Sequence, residues 1–402
     1  MSRPPRALPP QPSPAAAAET LRRVARFLER ALPLCRAHTV EFYTRGLWDQ
    51  LVAPRPADVL EALRAAGPLA SRRPLAEASG GAAALWDDDT FATVFCENSN
   101  KLLDVHLFAL AAKYYSLSSL GVCTPLEEML EALGGENQGV TGIKTDEFMN
   151  NKKSHEVQVM SELVDNIASY CGIKQDCVMV GLHTCGDLAA NTLRIFTAKP
   201  EIKAVCSVGC CYHLLSEQFE NQEEYPEEVW GFPMCQYLKD KGWCCGRNAR
   251  MSACLALERV AVGQMLPTES LFYRAVLQVI IEEIYGVTKS DRHVGKIFSK
   301  SSSFMDYVRK SLKKLELDGS KLSDSCIMDY YEKYKHRMIE LEAFNMLKVV
   351  LAPCIEVLIL LDRLCYLKEQ DSLAWSGLVK LFDPVKSPRC YAVIALKERS
   401  QF

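Results

Sequence analysis

The chain has 402 residues, 24% of them charged, and a net charge of -3 at neutral pH. That length allows a large buried core in two structural units, and the near-neutral balance excludes a role resting on bulk charge, so any contact with nucleic acid must come from a local patch. Seventeen cysteines, an odd number with no apolar signal segment ahead of them, indicate a reducing compartment with free thiols rather than a secreted disulfide framework.

Residues 1–20 are rich in proline and alanine and nearly devoid of large apolar side chains, the composition of a disordered tail. Leu21, Val24, Leu28, Ala31 and Leu32 then recur at helical spacing, with Arg22, Arg23, Arg26 and Arg30 on the other faces. An arginine-rich amphipathic start is also what a mitochondrial presequence looks like, but Glu29 and the proline-rich lead favour a helix packed on the protein. Residues 21–149 are expected to be a helical N-terminal region, with helix over His38–Leu63, a small-residue linker at Ala66–Ala84, and helix again over Leu102–Leu133, stopped by Gly134 and Gly135.

From Asn150, Val157, Met160, Leu163, Val164 and Ile167 fall on one helical face, while Lys152, Lys153, His155 and Glu156 crowd the first turn. Two cations at a helix N-terminus oppose its dipole. A substrate anion, Glu156 or water would offset them, which makes Lys152, Lys153 and His155 candidate substrate contacts.

The stretch CVMVGLHTCGDLAANTLRIFTAKPEIKAVCSVGCCYH, Cys177–His213, organises the rest. Val178–Leu182 and Ala204–Val208 are apolar runs of the kind a buried parallel strand needs, and Asp187–Thr197 between them is a crossover helix opened by Gly186. A parallel pair so joined forms a right-handed βαβ unit whose ligands bind beyond the carboxyl ends of the strands. His183–Asp187 and Gly209–His213 therefore share one rim.

Residues 216–346 are expected to be a helical insertion, with helices over Ala249–Ala261, Ser270–Ile284 and Val294–Leu315, the last capped by Ser303 and Asp306. Its basic run, Lys289, Arg292, Lys296, Lys300, Arg309, Lys310, Lys313 and Lys314, is the candidate RNA contact. A solvated helix face accounts for the same residues. Residues 347–402 complete the core, with a long helix to Lys368 kinked near Pro353 and a strand in CYAVIAL, Cys390–Leu396. Lys348, Glu356, Asp362 and Arg363 interrupt the apolar part of that helix, which argues for burial in protein and against a membrane span.

Three chemistries suit the rim. Its thiols and imidazoles are metal-ligand types, but with no C-x2-C pair and with Cys210 and Cys211 adjacent, no metal is expected. Thiols beside histidines could supply a nucleophile, although nothing in the sequence says which is activated. Group transfer needs only a general base, such as His213, beside a bound acceptor. The plainer account is that small cysteines and glycines let strands pass into tight turns.

GLHTCGDLAANTL and SVGCCYHLL, with MNNKKSHEV before them and LAPCIEVLILLDRLCYLKEQ and SPRCYAVIALK after, closely resemble the methyltransferase-like protein 25 family. The first two motifs resemble more loosely a wider group that includes a tRNA 2'-O-methyltransferase. The resemblance implies a class I, S-adenosylmethionine-dependent methyltransferase; the free thiols point to an intracellular location, cytoplasmic or nuclear, with a mitochondrial one left open. It places His183, Cys185, Gly186 and Asp187 after the family's fourth strand, toward the cofactor, and Cys211, Tyr212 and His213 after its fifth, near the transferred methyl. In the family a first strand and a glycine-rich turn follow KKSHEV. Here only CGIKQDC, Cys171–Cys177, separates that helix from the fourth strand. The fold class is therefore an incomplete Rossmann-like α/β sheet with an N-terminal helical subdomain and helical insertions, its truncated core at 150–215; cofactor binding should be weak or absent, and the alternative to an impaired methyltransferase is a non-catalytic binding or regulatory protein that retains the scaffold.

Overall fold

The structure, a computed structural model, describes residues 7–65, 93–134, 151–173, 177–221, 229–255, 268–287 and 301–398. Among these residues, five strands form one mixed sheet: β1 (Cys123–Pro125), β2 (Cys177–Cys185), β3 (Ile202–Cys210), β4 (Leu373–Lys380) and β5 (Tyr391–Lys397), in the order β1-β4-β5-β3-β2. The helices that position the site are α1 (Pro14–Arg36), α2 (Asn151–Cys171), α3 (Asp187–Ala198), α4 (Phe304–Lys314) and α5 (Met338–Lys368).

β2 and β3 are parallel, with Val178 opposite Ala204 and Cys185 opposite Cys210, and α3 is their crossover. β5 is antiparallel to β3 on one side and to β4 on the other. CYAVIAL, expected to pair with both strands of the βαβ unit, pairs with β3 but not β2, and is covered along both edges because β4 lies on its other side. Alternation sends Ala392, Ile394 and Leu396 to the face covered by α2, and Val393 and Ala395 to the face covered by α3 and α5. The result is a sheet between two helical layers, an incomplete Rossmann-like α/β fold with helical regions added to it.

α5 is the spine of the larger core, buried at nearly every position from Leu341 to Leu367. It is long and apolar enough to cross a membrane by length and composition, but 83% of its most apolar window is buried inside the protein. Pro353 lies inside it. α1 packs along α5 through Leu21, Val24, Leu28, Ala31 and Leu32, all at most 1% exposed. The region expected as a separate helical subdomain therefore shares one core with the C-terminal helix.

The expectation of a disordered tail over 1–20 is corrected from residue 7 onward. Ser13 caps α1 by accepting from the Ala16 N–H at 3.1 Å, and Pro14 opens the helix. The Trp375 indole donates to the Pro9 carbonyl at 2.9 Å, and the Gln11 side chain accepts from the Ser376 N–H. Low apolar content was outweighed by these specific anchors. Two strands escaped the sequence reading, β1 and β4, while Ser303 caps α4 by accepting from the Asp306 N–H, as foreseen. The linker at Ala66–Ala84 and the basic residues Lys289, Arg292, Lys296 and Lys300 lie outside the described residues.

Candidate functional site

The carboxyl ends of β2 and β3 bring the expected rim residues together, but they divide into three groups. The first is built on Glu156, in the first turns of α2. Its carboxylate is 3% exposed and accepts from the Ser387 hydroxyl at 2.6 Å. Lys152 Nζ lies 3.5 Å from one of its oxygens and His183 Nε2 lies 3.6 Å from the other. Lys152 and His183 thus meet on a residue that sequence reasoning had treated only as a partner for the helix dipole. His155 stands apart, its ring edge-on to Phe382 at 5.7 Å and its Nε2 buried without a hydrogen-bond partner. Burial, followed by the Lys386 charge, lowers its pKa. Lys153 is exposed beside them.

The second group is sulfur. Cys185 and Cys210 are register partners with their Sγ atoms 3.0 Å apart, and Cys211 completes a set whose sulfurs all lie within 4.8 Å of one another. Cys211 sits in the left-handed region at φ 48°, ψ 48°. Burial, and then hydrogen bonding with the Cys185 thiol, raises the pKa of both Cys210 and Cys211.

The third group points inward. Tyr212 is 1% exposed and donates its hydroxyl to Glu356 Oε1 at 2.8 Å. Its ring lies near the guanidinium groups of Arg363 and Arg389, at 5.8 and 5.6 Å from its centroid. Burial, followed by the Glu356 charge, drives the phenol well above its usual range, so Tyr212 is held as a neutral anchor. His213, next in sequence, is half-buried with Nδ1 3.7 Å from the Cys254 sulfur.

The turn after β3 is fixed by residues the sequence did not advertise. Arg250, 4% exposed, donates to the carbonyls of Tyr212, His213 and Leu215 and is paired with Glu217 at 3.0 Å and Glu220 at 3.0 Å. Glu217 also accepts from the Cys245 and Gly246 N–H groups. Burial raises the Glu217 carboxyl despite the Arg250 charge beside it. On α5, Asp362 accepts from the Met234 and Cys235 N–H groups, and Arg363 runs so close under the strand end that a Cβ on Gly209 would stand 2.5 Å from its Nη1. The available signal was charge inside an apolar helix.

Gly186 and Asp187, expected to face a cofactor, are engaged by the chain itself. Gly186 has φ +54°, and a Cβ there would meet the Leu214 carbonyl oxygen at 2.6 Å. Asp187 Oδ1 accepts from the Ser216 N–H at 2.8 Å. Of the basic run, Arg309 is bound to Asp324 and to the carbonyls of Gly319 and Leu322, and Lys310 is paired with Asp306 at 2.7 Å. Lys313 and Lys314 are exposed in the last turn of α4.

A family described as a methyltransferase domain matches residues 142–218, the segment that contains α2, β2, α3, β3 and the rim. The human protein "Probable methyltransferase-like protein 25" is 44% identical to this chain over 589 aligned residues, covering 94% of the chain and 97% of the relative. Its mouse counterpart is 44% identical over 575, covering 93% and 95%. Both alignments are longer than the 402 residues of this chain, so each relative carries internal sequence that this chain lacks. No solved structure matches.

Proposed function

The chain belongs to the methyltransferase-like protein 25 family, and from that membership we propose that it is the substrate-side portion of an S-adenosylmethionine-dependent methyltransferase whose hold on the cofactor is impaired. The observation that carries this reading is the position of β2. Among the described residues it pairs with β3 alone and forms one margin of the sheet. In a doubly wound sheet the cofactor lies across strand ends, with a glycine turn allowing its close approach to the backbone. On our reading the strand bearing that turn belongs beyond β2, encoded in the internal sequence that the longer relatives carry between the equivalents of α2 and β2.

The rim residues present here do not fit the cofactor. The space at Gly186 is filled by Leu214, the Asp187 carboxylate is committed to a backbone amide, and the His183 side chain is 51% exposed beside Glu156. No catalytic step is therefore assigned to this chain alone. For the complete family form, RNA is the acceptor class this reading favours, supported by the exposed Lys313 and Lys314 at the end of α4.

Thermal melting with and without S-adenosylhomocysteine tests the reading, because a ligand bound only by the native state raises the melting temperature. The expected result is a cooperative melt at an unchanged temperature. An upward shift, or micromolar affinity for S-adenosylmethionine by calorimetry, would overturn it. Insertion of the relatives' internal segment between α2 and β2 should restore the shift.

A further inference from the structure

We propose that Cys185, Cys210 and Cys211 form a thiolate site for a thiophilic d10 metal ion, with zinc as the ion to test. The absence of a C-x2-C pair and the adjacency of Cys210 and Cys211 spoke against this in the sequence, and the backbone removes the second objection. With Cys211 at φ 48°, a conformation that L residues seldom adopt, the chain turns so that neighbouring side chains both reach the Cys185 sulfur. The turn is held in that shape by Arg250, which binds the carbonyls of the following residues from a buried position backed by Glu217.

The spacing suits the ion. Zinc–sulfur bonds of about 2.3 Å in tetrahedral geometry set sulfurs roughly 3.8 Å apart. Here the three sulfurs lie within 4.8 Å of one another, with Cys185 and Cys210 at 3.0 Å, so a small opening of that pair accommodates the ion. Burial is graded: Cys210 is buried, while Cys185 and Cys211 are half-buried, which screens the ion on one side and leaves a way in on the other. A set of three soft thiols with no carboxylate selects zinc or copper(I) over magnesium or calcium. The second cluster of ligand types, Glu217, Glu220 and Cys244, lacks this freedom, because Glu217 is already committed to Arg250 and to the Cys245 and Gly246 N–H groups.

Binding breaks three S–H bonds and forms three metal–sulfur bonds, and three protons leave to buffer; neither an oxidant nor a reductant is needed. The competing chemistry at the same place is a Cys185–Cys210 disulfide, which requires an oxidant to remove two electrons and two protons.

The test uses the reduced, metal-free full chain. Alkylation rates of individual cysteines are mapped by mass spectrometry with and without one equivalent of Zn2+. Zinc should slow Cys185, Cys210 and Cys211 by at least about tenfold, leaving the half-buried Cys96 and the exposed Cys177 unchanged. With Co2+ as a probe, the wild type should show a thiolate-to-metal charge-transfer band that the C185S/C211S double variant lacks. Protection spread over unrelated cysteines, or none at the triad, would overturn the proposal, as would isolation of the Cys185–Cys210 disulfide from a chain that takes up no zinc. The alkylation map needs only wild-type protein, so it decides the matter even where a variant folds poorly.

Discussion

β5 and β2 are apolar strands of similar length in one sheet, and they are finished in opposite ways. β5 lies between β3 and β4 and is buried at every position except its ends. β2 pairs on one side only among the described residues, and of its nine residues Thr184 alone is buried. Val180 is 44% exposed. The run CVMVGL has the composition of a strand meant to be covered, so it is neighbours and not side-chain type that separate the two. An uncovered strand edge is a template for pairing that proteins ordinarily block or cover.

The largest effect that sharpens this contrast is a truncation on the closed side. Ile394 on β5 is fully buried in the face covered by α2, so Ile394→Ala should cost about 2–5 kcal/mol in urea unfolding. Val180→Ala on β2 should cost below about 1 kcal/mol. Equal losses would mean that β2 is covered as well as β5, and the contrast would fall.

Next in size is a pH effect on α5, behind the closed side. Asp362 is fully buried, and desolvation raises its pKa from an ordinary 3.8 to about 6 although two backbone N–H groups oppose the shift. Between these values the folded state keeps a proton that the unfolded state has lost. Stability from this group therefore falls as pH rises from about 4 to about 6, by roughly 3 kcal/mol in total, and is level above that window. In Asp362→Asn the term vanishes, so the stability difference between wild type and variant should change across that window and be flat above pH 7. A constant difference throughout would mean that the Asp362 carboxyl titrates in the fold as it does in the unfolded chain.

Much of the closed side was legible because its signals are local and repeated. The continuous apolar run of YAVIAL, the unbroken apolar face of α1 and the length of α5 each report burial without knowledge of partners. β4 was hidden because LAWSGLVK mixes serine and glycine into the run, and a Cβ at Gly377 would stand 2.6 Å from the Trp375 ring that takes its place. The three-residue β1 carries no pattern at all. At the rim, the chemistry-bearing residue types could be picked out, but not their directions. Tyr212 and His213 are adjacent, yet one donates into the interior to Glu356 and the other stays half-exposed. Glu156 and Arg250 act through partners far along the chain, a relation that no window of sequence contains.

The smallest expected effect is the most direct view of the open side. In hydrogen exchange the most protected amides open only with global unfolding, whereas an uncovered strand opens locally at lower cost. Peptides from Tyr391–Leu396 should therefore exchange last, and peptides from Cys177–Thr184 earlier, even though both strands belong to one sheet. The difference within β2 should itself be graded. Its far end is tied to β3 by Thr184, whose hydroxyl donates to the Val208 carbonyl at 2.8 Å and lies 3.0 Å from the Ser207 hydroxyl. Its middle departs from regular register between Gly181 and Thr184. Exchange should thus be fastest around Val180–Leu182 and slow again toward Cys185. Zinc held by Cys185, Cys210 and Cys211 would slow the Cys185 end alone, since it ties β2 to β3 without covering the outer edge. Slowing along the whole of β2 would mean that the ion acts beyond the Cys185 end.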